Sequence, residues 1–415
     1  MDLYNLEELL VKQNPQWISS KGRWAFGPGF KRDIFAGFCQ ELNQKKLILT
    51  LSGPRRSGKT FLMKQAMLWL AENKHIPHKN ICYFQFSGSL NEKNIIHGVV
   101  DLFLKKYAGK KRKYIFFDEV QYVDFWQDQI KYSYDFLNDV KFIVSGSTSL
   151  FYRQKSKESL AGRIAKYRLG ALNFHEYLRF KNIEEPAKDR VEFVSNLTIY
   201  KTEFKKYLAY GQYPEIVANP ELDPKKYIID LSDQIINFDI PYFSAKIDRQ
   251  LFLSVVKTLS FDLAQEYSAN HLAKTLEADR REIAEYVKIL EETNLFSVCY
   301  NAGFKSMRKK LSGSKKIYIL NSNLPLYLNG FDVSYLNDTR VFGRYFENYI
   351  FMRILEKYGK IEYYRIDGKE LDFVSKDAAF EIKSGANMNI DKYQKLSSTL
   401  KKKFYLISEE EAYLI

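Results

Sequence analysis

Residues 53–60 constrain the fold of this chain more than any other part of its sequence. They read GPRRSGKT and fit the pattern G-x-x-x-x-G-K-[ST] in full. An apolar run at residues 47–51 precedes them, and FLMKQAMLWLAENK follows with its apolar residues at helical spacing. A glycine-rich loop in this position turns backbone N–H groups inward at the positive end of a helix. The pattern therefore predicts a phosphate-binding loop in a parallel α/β sheet.

The loop residues have distinct predicted roles in binding a nucleoside triphosphate. Lys59 can reach the β and γ oxygens, and the Thr60 hydroxyl can ligate magnesium. A glycine loop without a ligand is the weaker alternative, because both the preceding strand and the following helix are predicted. The predicted ATP-binding residues are Gly53, Pro54, Arg55, Arg56, Ser57, Gly58, Lys59, Thr60 and Phe61.

An acidic pair follows the apolar run at residues 114–117. Asp118 and Glu119 come at its carboxyl end, which is the edge of an open α/β sheet where ligands bind. We expect Asp118 to hold magnesium through water, and Glu119 to orient and polarise the attacking water. An acidic pair in this position is often only a helix cap, and the loop at residues 53–60 makes that alternative weaker.

Two further catalytic candidates follow the apolar run at residues 142–144. Ser147 lies in SGSTS and could sense the γ-phosphate or position the water. Arg163 lies in LAGR and could stabilise transition-state charge in its own or a neighbouring subunit, with a surface arginine as the alternative. Together with Lys59 and Glu119, these are the predicted catalytic residues of the first part of the chain.

Composition narrows the class of protein. The formal net charge of +14 over 415 residues favours polyanionic partners, nucleic acid among them. The three cysteines have no paired spacing and predict buried free thiols in a reducing interior. The start lacks the pattern of an export signal, and no stretch approaches about 18 apolar residues. We therefore expect a cytoplasmic protein with no membrane partner, and a membrane-surface protein is the least favoured class because no long basic amphipathic helix is present.

These motifs resemble those of a family of archaeal and bacterial AAA-type ATPases that carry a C-terminal domain of unknown function, number 4143. The similar stretches are GPRRSGKT, FFDEVQY, VSGSTS, LAGR, LGALNFHEYL and YGQYPE, and they span nearly the whole chain. The resemblance implies an ASCE-type sheet, in which one strand separates the P-loop strand from the Asp-Glu strand. It also implies Mg-ATP binding, a winged-helix segment and a restriction-endonuclease-like terminal domain.

The order of predicted elements divides the chain into three parts. Residues 1–170 are the P-loop ATPase core, 171–335 a helical lid and winged-helix region, and 336–415 a small α/β domain. In the middle part, a helix, a turn and a second helix capped by Asp279 precede a strand, which is the order of a winged helix. Residues 305–316 carry six basic and no acidic side chains, and we expect them to form an exposed wing.

The terminal part carries a pattern of carboxylates. Asp372 is followed after eight residues by the sequence EIK, and this resembles the PD-(D/E)xK nuclease signature with Leu371 in place of proline. In that chemistry two carboxylates bind magnesium and a lysine steers the nucleophile. Asp372, Glu381 and Lys383 are then catalytic, the two acids also ligate the metal, and Glu347 could complete the metal shell. Charges that alternate on the solvent side of two strands are the alternative.

Two functions remain open from the sequence. The first is an ATPase with ATP and Mg²⁺ as cofactors, coupled to non-specific DNA binding or processing through the nuclease-like domain. The second is a nucleotide-dependent switch or scaffold whose nuclease-like domain is inactive and serves for docking. The second helix of the winged-helix region is net negative, so base-specific recognition is not expected. Assembly into a homo-oligomer is compatible with both functions.

Overall fold

The computed structural model describes residues 3–18, 24, 26–44, 47–88, 94–147, 160, 162–187, 189–239, 247–304, 306–383 and 390–414. The chain divides into two compact units, Met1–Ala171 and Leu172–Ile415. The first unit contains one parallel sheet, and the second contains two smaller sheets among helices. The predicted α/β fold class is confirmed.

The first unit is a parallel sheet with helices connecting its strands. The strands are β1 Ile48–Ser52, β2 Ile81–Gln85, β3 Lys113–Asp118, β4 Val140–Gly146 and β5 Ile164–Arg168. The helices are α1 Leu3–Gln13, α2 Phe35–Leu42, α3 Lys59–Asn73, α4 Ile95–Lys106 and α5 Trp126–Phe136, with 3₁₀ turns at Pro15–Trp17, His78–Asn80 and Val120–Tyr122. The strand order is β2-β3-β4-β1-β5, and every neighbouring pair is parallel. Because β4 lies between β1 and β3, the sheet has the order that the resemblance implied.

Both faces of this sheet are covered, which explains the apolar runs in its sequence. The strand β4 is buried along its whole length, and β1 is buried except at its last residue. One apolar cluster on the sheet includes Phe117 and Phe142, and another includes Phe116 and Ile143. A strand covered on both faces needs continuous rather than alternating apolar residues. The apolar runs predicted at residues 47–51, 114–117 and 142–144 are the strands β1, β3 and β4, whose ends lie within two residues of the expected positions.

The edge strand β2 is covered by polar side chains from the start of the chain. Asn14 donates from Nδ2 to the Tyr83 carbonyl oxygen at 2.7 Å, and its Oδ1 accepts from the Tyr83 N–H at 2.8 Å. Gln16 and Trp17 both donate to the carbonyl oxygen of Ile81. An uncovered edge strand would offer these groups to another chain. The amide of Asn14 thus takes the place of a neighbouring strand.

The second unit contains helices around two sheets. The helices are α6 Phe174–Phe180, α7 Arg190–Lys206, α8 Pro214–Ala218, α9 Pro224–Gln234, α10 Arg249–Phe261, α11 Ala269–Thr275, α12 Arg280–Glu292, α13 Met307–Ser312, α14 Asn323–Leu328, α15 Thr339–Tyr358, α16 Ile390–Thr399 and α17 Glu409–Ala412. The strands are β6 Glu266–Tyr267, β7 Phe296–Cys299, β8 Lys315–Ile319, β9 Glu362–Ile366, β10 Lys369–Val374, β11 Ala378–Lys383 and β12 Lys403–Ser408. There are π-helical turns at Tyr207–Gly211 and Ile235–Asp239 and a 3₁₀ turn at Val333–Asn337.

The two sheets of the second unit are built differently. The three-stranded sheet has the order β6-β8-β7 with antiparallel neighbours. The four-stranded sheet has the order β12-β11-β10-β9, in which β11 and β12 are parallel and the other pairs antiparallel. The chain order α15, β9, β10, β11, α16 and β12 combines helices and strands, as expected for the terminal part of the chain.

The predicted helix–turn–helix–strand order is found at α11, α12 and β7. The Asp279 carboxylate accepts from the Arg281 N–H at 2.7 Å and caps α12. The expectation of an exposed wing at residues 305–316 is wrong for much of the segment. Part of it is helix α13, the Lys310 ammonium lies 2.6 Å from Glu362, and Lys316 is only 7% exposed. These lysines lie close to carboxylates that are distant in sequence and that the local charge pattern could not reveal.

Aromatic residues unite the core of the second unit. One cluster of buried residues extends from Phe174 to Tyr413, so it crosses the division predicted near residue 335. The ring of Phe204 is fully buried at its centre. Its aromatic neighbours are Phe174, Tyr207, Phe342, Phe346, Tyr349 and Tyr413. Residues on both sides of position 335 therefore contribute to one core, and the division there stays a prediction.

Replacing Phe204 tests this shared core. Phe204→Ala is expected to lower the free energy of unfolding by about 3–5 kcal/mol, because a large buried ring leaves a cavity. Chemical denaturation followed by circular dichroism measures the change. Val191→Ala on the same helix α7 is the control, since that side chain is 79% exposed. Two separate transitions, with only residues 172–335 destabilised, would contradict a common core.

Candidate functional site

The loop between β1 and α3 depends on two glycines. Gly58 precedes α3 with a φ of +94°, in the left-handed region that favours glycine. A Cβ on Gly53 would lie 2.1 Å from the carbonyl oxygen of Leu169. The loop therefore passes against the backbone that leaves β5 with no room for a side chain.

Lys59 and Ser57 direct polar groups into this loop. The Lys59 Nζ donates to the carbonyl oxygens of Gly53 at 3.1 Å and Pro54 at 2.9 Å, and the residue is only 5% exposed. The Ser57 hydroxyl is buried and has no hydrogen-bond partner within the described residues. A buried hydroxyl without a partner costs free energy unless a ligand satisfies it. Both groups fit a site for phosphate oxygens.

Asp118 ends β3 beside the loop and is fully buried. Its Oδ2 accepts from the Thr60 hydroxyl at 2.6 Å and from the Tyr83 hydroxyl at 2.8 Å. Its Oδ1 accepts from the Glu119 N–H at 3.0 Å and from the Ser145 hydroxyl. These four donors satisfy a carboxylate whose burial would otherwise be costly. The predicted magnesium residues Thr60 and Asp118 are thus in direct contact.

Tyr83 and Ser145 are contacts of Asp118 that the sequence analysis missed. Burial raises the pKa of Tyr83 far above its usual value, and the Asp118 charge raises it further, so the hydroxyl remains a donor. Ser145 had a signal in the sequence, because it directly follows the apolar run at residues 142–144, which forms the strand next to β3. No local signal marks Tyr83, which reaches Asp118 only because β2 pairs with β3.

Glu119 and Ser147 are linked through Gln121, a residue that was not predicted. The Gln121 side-chain amide donates to Glu119 Oε2, and its Oε1 accepts from the Ser147 N–H at 3.3 Å. Glu119 has a φ of +55°, a conformation uncommon for residues other than glycine. The position of Gln121 in FFDEVQY, two residues after Glu119, was the available signal. These contacts place Glu119 and Ser147 at the carboxyl edge of the sheet, beside the loop.

Arg163 is not brought to the site within one chain. It precedes β5, and its carbonyl oxygen accepts from the N–H of Ile48, the first residue of β1. Because β1 and β5 are parallel, Arg163 lies at the amino edge of the sheet and the loop lies at the carboxyl edge. Five strand residues at about 3.3 Å each separate the two edges by about 16 Å. Arg163 instead lies 3.4 Å from Asp135.

The remaining predicted loop residues lie at its rim. The Arg55 guanidinium donates to the Tyr122 hydroxyl at 3.1 Å, and Arg56 has a φ of +62°. Pro54 contributes the carbonyl oxygen bound by Lys59, and Phe61 is 42% exposed on the first turn of α3. These residues border the loop, and their side chains do not contact Lys59, Ser57 or Asp118 in the hydrogen bonds described above.

The oxygen groups near the loop fit magnesium bound together with a nucleotide. Magnesium in such sites takes one or two protein oxygens and otherwise keeps water and phosphate oxygens. The Thr60 hydroxyl and the Asp118 carboxylate, 2.6 Å apart, supply such a set. Nowhere in the described residues do three or more His, Cys, Asp or Glu side chains form a group that could hold a metal ion.

The terminal carboxylates form a second cluster of polar groups. Asp372 is partly buried on β10, and its Oδ2 accepts from the Ile382 N–H at 2.8 Å. On β11, Glu381 Oε1 lies 2.9 Å from the Lys383 ammonium, and Glu381 Oε2 is buried without a partner in the described residues. Burial raises the pKa of Asp372 to about 8, and the charges of Glu347 and Glu381 add to this shift. Burial also raises the pKa of Glu381.

Lys316 joins this cluster from the three-stranded sheet. Its Nζ lies 3.1 Å from Glu347 Oε1 and 3.7 Å from Glu370 Oε1. Glu347 Oε1 also accepts from the Tyr318 hydroxyl at 2.7 Å. Burial lowers the pKa of Lys316, but the charges of Glu347 and Asp372 outweigh it and raise the pKa above its ordinary value. Lys316 therefore stays charged, and the sequence analysis missed it because it lay in the predicted wing.

Comparison with known proteins supports an assignment for the first unit. Residues 45–178 match a family model described as an AAA domain. This part of the chain is therefore similar to AAA domains. Residues 201–335 match a model described as a domain of unknown function, DUF8612, which is not the domain numbered 4143 of the resemblance above.

The matched relatives are themselves uncharacterized. One from Haemophilus influenzae is 26% identical over 357 residues, which cover 82% of this chain and 83% of the relative. One from Methanocaldococcus jannaschii is 28% identical over 350 residues, covering 79% and 71%. These relatives share most of the length of the chain, and their names add no activity.

Solved structures show a weaker similarity. A Walker-type ATPase of Pyrococcus abyssi gives a TM-score of 0.45 at 13% identity, covering 72% of this chain and 95% of that one. The ORC1 protein of Aeropyrum pernix in complex with DNA gives 0.32 at 10% identity, covering 80% and 97%. Scores of this size do not establish a shared overall fold. Separately, none of the described helices has the length and apolar composition needed to cross a membrane.

Gly53 provides a direct test of the loop. Gly53→Ala is expected to weaken ATP binding by at least about 100-fold, because the new Cβ would push the loop away from Leu169. Titration with a fluorescent ATP analogue measures the affinity. Gly27→Ala is the control, since a Cβ there meets nothing within 4 Å. A folded Gly53→Ala protein with unchanged affinity would show that the loop is not the binding site.

Proposed function

We propose that this protein binds Mg-ATP at residues 53–60 and hydrolyses it. The observation that carries the proposal is the 2.6 Å hydrogen bond between the Thr60 hydroxyl and Asp118 Oδ2. It joins the phosphate-binding loop to the acidic end of β3, and hydrolysis needs both in one place. The match of residues 45–178 to an AAA domain supports the same conclusion.

In this proposal the Lys59 ammonium donates either to carbonyl oxygens of the loop or to phosphate oxygens of the nucleotide. Without a nucleotide its ammonium is held by the carbonyl oxygens of Gly53 and Pro54. Phosphate oxygens carry formal charge and form stronger hydrogen bonds with an ammonium than neutral carbonyls do. Lys59 therefore turns from the loop carbonyls to the β and γ oxygens, and the loop holds it close to both positions.

Thr60, Asp118 and Glu119 have the remaining two functions, which are metal binding and activation of the attacking water. Thr60 and Asp118 would hold magnesium, which supplies positive charge to the phosphate oxygens during transfer. Glu119 accepts a proton from the attacking water or polarises it, and its backbone N–H remains bound to Asp118. Ser147 directly follows β4, and its backbone N–H donates to Gln121 Oε1, so it lies at the same carboxyl edge of the sheet as Glu119.

Two substitutions separate binding from hydrolysis. Lys59→Ala is expected to abolish both, because it removes the charge that holds the β and γ phosphates. Glu119→Gln is expected to keep ATP affinity and to lower kcat by about 10²–10⁴-fold, since it removes the base but not the loop. A phosphate-release assay and a binding titration measure the two effects. Lys74→Ala, at the exposed end of the same helix, should match wild type.

Wild-type protein that retains no ATP at millimolar concentration with magnesium would end the proposal. Hydrolysis that persists unchanged in Glu119→Gln would leave binding intact but remove Glu119 from the mechanism.

Gln121 is a positioning residue for Glu119 in this proposal. Gln121→Ala is expected to lower kcat about tenfold with little change in KM, because Glu119 loses its orienting donor. Gln121→Glu places a second carboxyl beside Glu119 and should shift the acidic limb of the kcat–pH profile to higher pH. A residue with only a structural role would change stability without moving that profile.

For the second unit, the contacts favour a nucleotide-dependent switch or scaffold over a nuclease. The carboxylate of Glu347, predicted to complete a metal shell, already has Lys316 and Tyr318 as partners. Non-specific DNA remains the proposed partner because of the net charge of +14. DNA incubated with Mg²⁺ or Mn²⁺ should stay intact, while its binding should weaken with salt and change with ATP. Cleavage by wild type that Asp372→Ala abolishes would favour the nuclease.

A further inference from the structure

The terminal carboxylate cluster consists of the side chains of Glu347, Glu370, Asp372 and Glu381. Basic side chains of the same chain lie beside most of them. Three of its acids have a basic side chain within 4 Å: Glu347 has Lys316 at 3.1 Å, Glu381 has Lys383 at 2.9 Å, and Glu370 has both Arg365 at 3.1 Å and Lys316 at 3.7 Å. The fourth, Asp372, accepts a backbone N–H and senses the charge of Lys316. The negative charge of the cluster is thus largely balanced by the protein itself.

Lys316 is the central cation of this cluster. It is only 7% exposed and comes from β8, whereas Glu347 lies on α15 and Glu370 and Asp372 lie on β10. One ammonium therefore connects three elements that belong to separate sequence regions. A buried ammonium cannot leave its partners without a large cost in free energy.

A divalent cation at Glu347 would have to replace this contact. The ammonium already lies 3.1 Å from Glu347 Oε1, one of the two carboxylate oxygens that could ligate a metal. A second cation placed there would be repelled by Lys316 at close range and in a buried environment. The carboxylates have the sequence pattern of a metal site, but their geometry does not fit a metal while Lys316 is in place.

We propose that Lys316 is a built-in cation that takes the place of a divalent metal in the terminal cluster. Lys316 determines the specificity of this site, because it prevents Glu347, Asp372 and Glu381 from accepting Mg²⁺ or Mn²⁺ together. Ion pairs between Lys316 and the carboxylates of Glu347 and Glu370 then hold β8, α15 and β10 together. The proposal is independent of ATP hydrolysis, since the residues concerned all belong to the second unit.

Manganese binding to the full chain without nucleotide tests this proposal. Electron paramagnetic resonance measures bound Mn²⁺ in wild type and in Asp372→Asn. We expect no difference between the two at about 100 μM Mn²⁺, because a preformed metal site would have a Kd well below this concentration. A wild-type site that Asp372→Asn removes would overturn the proposal, whatever the other variants do.

Lys316→Met is the gain-of-binding variant. Removing the ammonium should create one Mn²⁺ site at least about tenfold tighter than any in wild type, and adding Asp372→Asn should remove it. Lys315→Met, the neighbouring lysine on β8, is the matched control and should gain nothing. Lys316→Arg keeps the positive charge and should also gain nothing. A folded Lys316→Met protein without a new site would contradict the proposal.

Thermal unfolding gives a second measurement if Lys316→Met is less stable. Manganese should raise the Tm of Lys316→Met by roughly 5 °C at about 100-fold excess over Kd, because a ligand of the native state stabilises it. The wild-type Tm should not change under the same conditions. An equal rise in both proteins would mean that Lys316 does not exclude the metal.

Discussion

The hydrogen bond between Thr60 and Asp118 is the contact on which the proposed ATPase site depends. It joins helix α3, which follows β1, to the end of β3, although β4 lies between β1 and β3 in the sheet. Two strand spacings of about 4.8 Å separate their backbones, and the loop after β1 crosses that distance to reach the acid. The glycine at position 53 makes this path available by allowing close contact with the backbone after β5. The order of the strands and the shape of the loop therefore together bring Thr60 next to Asp118.

In the second unit, several basic residues pair with carboxylates of the same chain. A positive net charge usually indicates a surface for polyanions. Here Lys310 and Lys316 neutralise carboxylates between elements, and Lys316 is buried among them. Charge patterning along the sequence could not distinguish a lysine that faces solvent from one that meets an acid about thirty residues away. The aromatic core around Phe204 holds these elements close enough for such contacts.

Much of the fold could be predicted because its signals are local. Buried parallel strands need continuous apolar runs, and the runs at residues 47–51, 114–117 and 142–144 located β1, β3 and β4 to within two residues. The loop motif and the acids after β3 were recognisable because the backbone there has strict requirements. Tyr83 and Gln121 were missed, since each acts through contacts made only when strands pair or when a turn folds. Arg163 was predicted to stabilise transition-state charge in its own or a neighbouring subunit, and the parallel direction of β5 puts it at the opposite edge of the sheet from the loop of its own chain.

The sequence by itself determined a glycine-rich loop between a strand and a helix, an acidic strand end and an α/β sheet, because each rests on a short pattern of residue types. Only the tertiary structure decided which groups surround each carboxylate. The Asp118 carboxylate accepts hydrogen bonds from hydroxyls, whereas the Glu347 carboxylate lies against the ammonium of Lys316. The physical reason is that electrostatic partners are selected by distance in space, and for buried charges that distance depends on how whole elements pack.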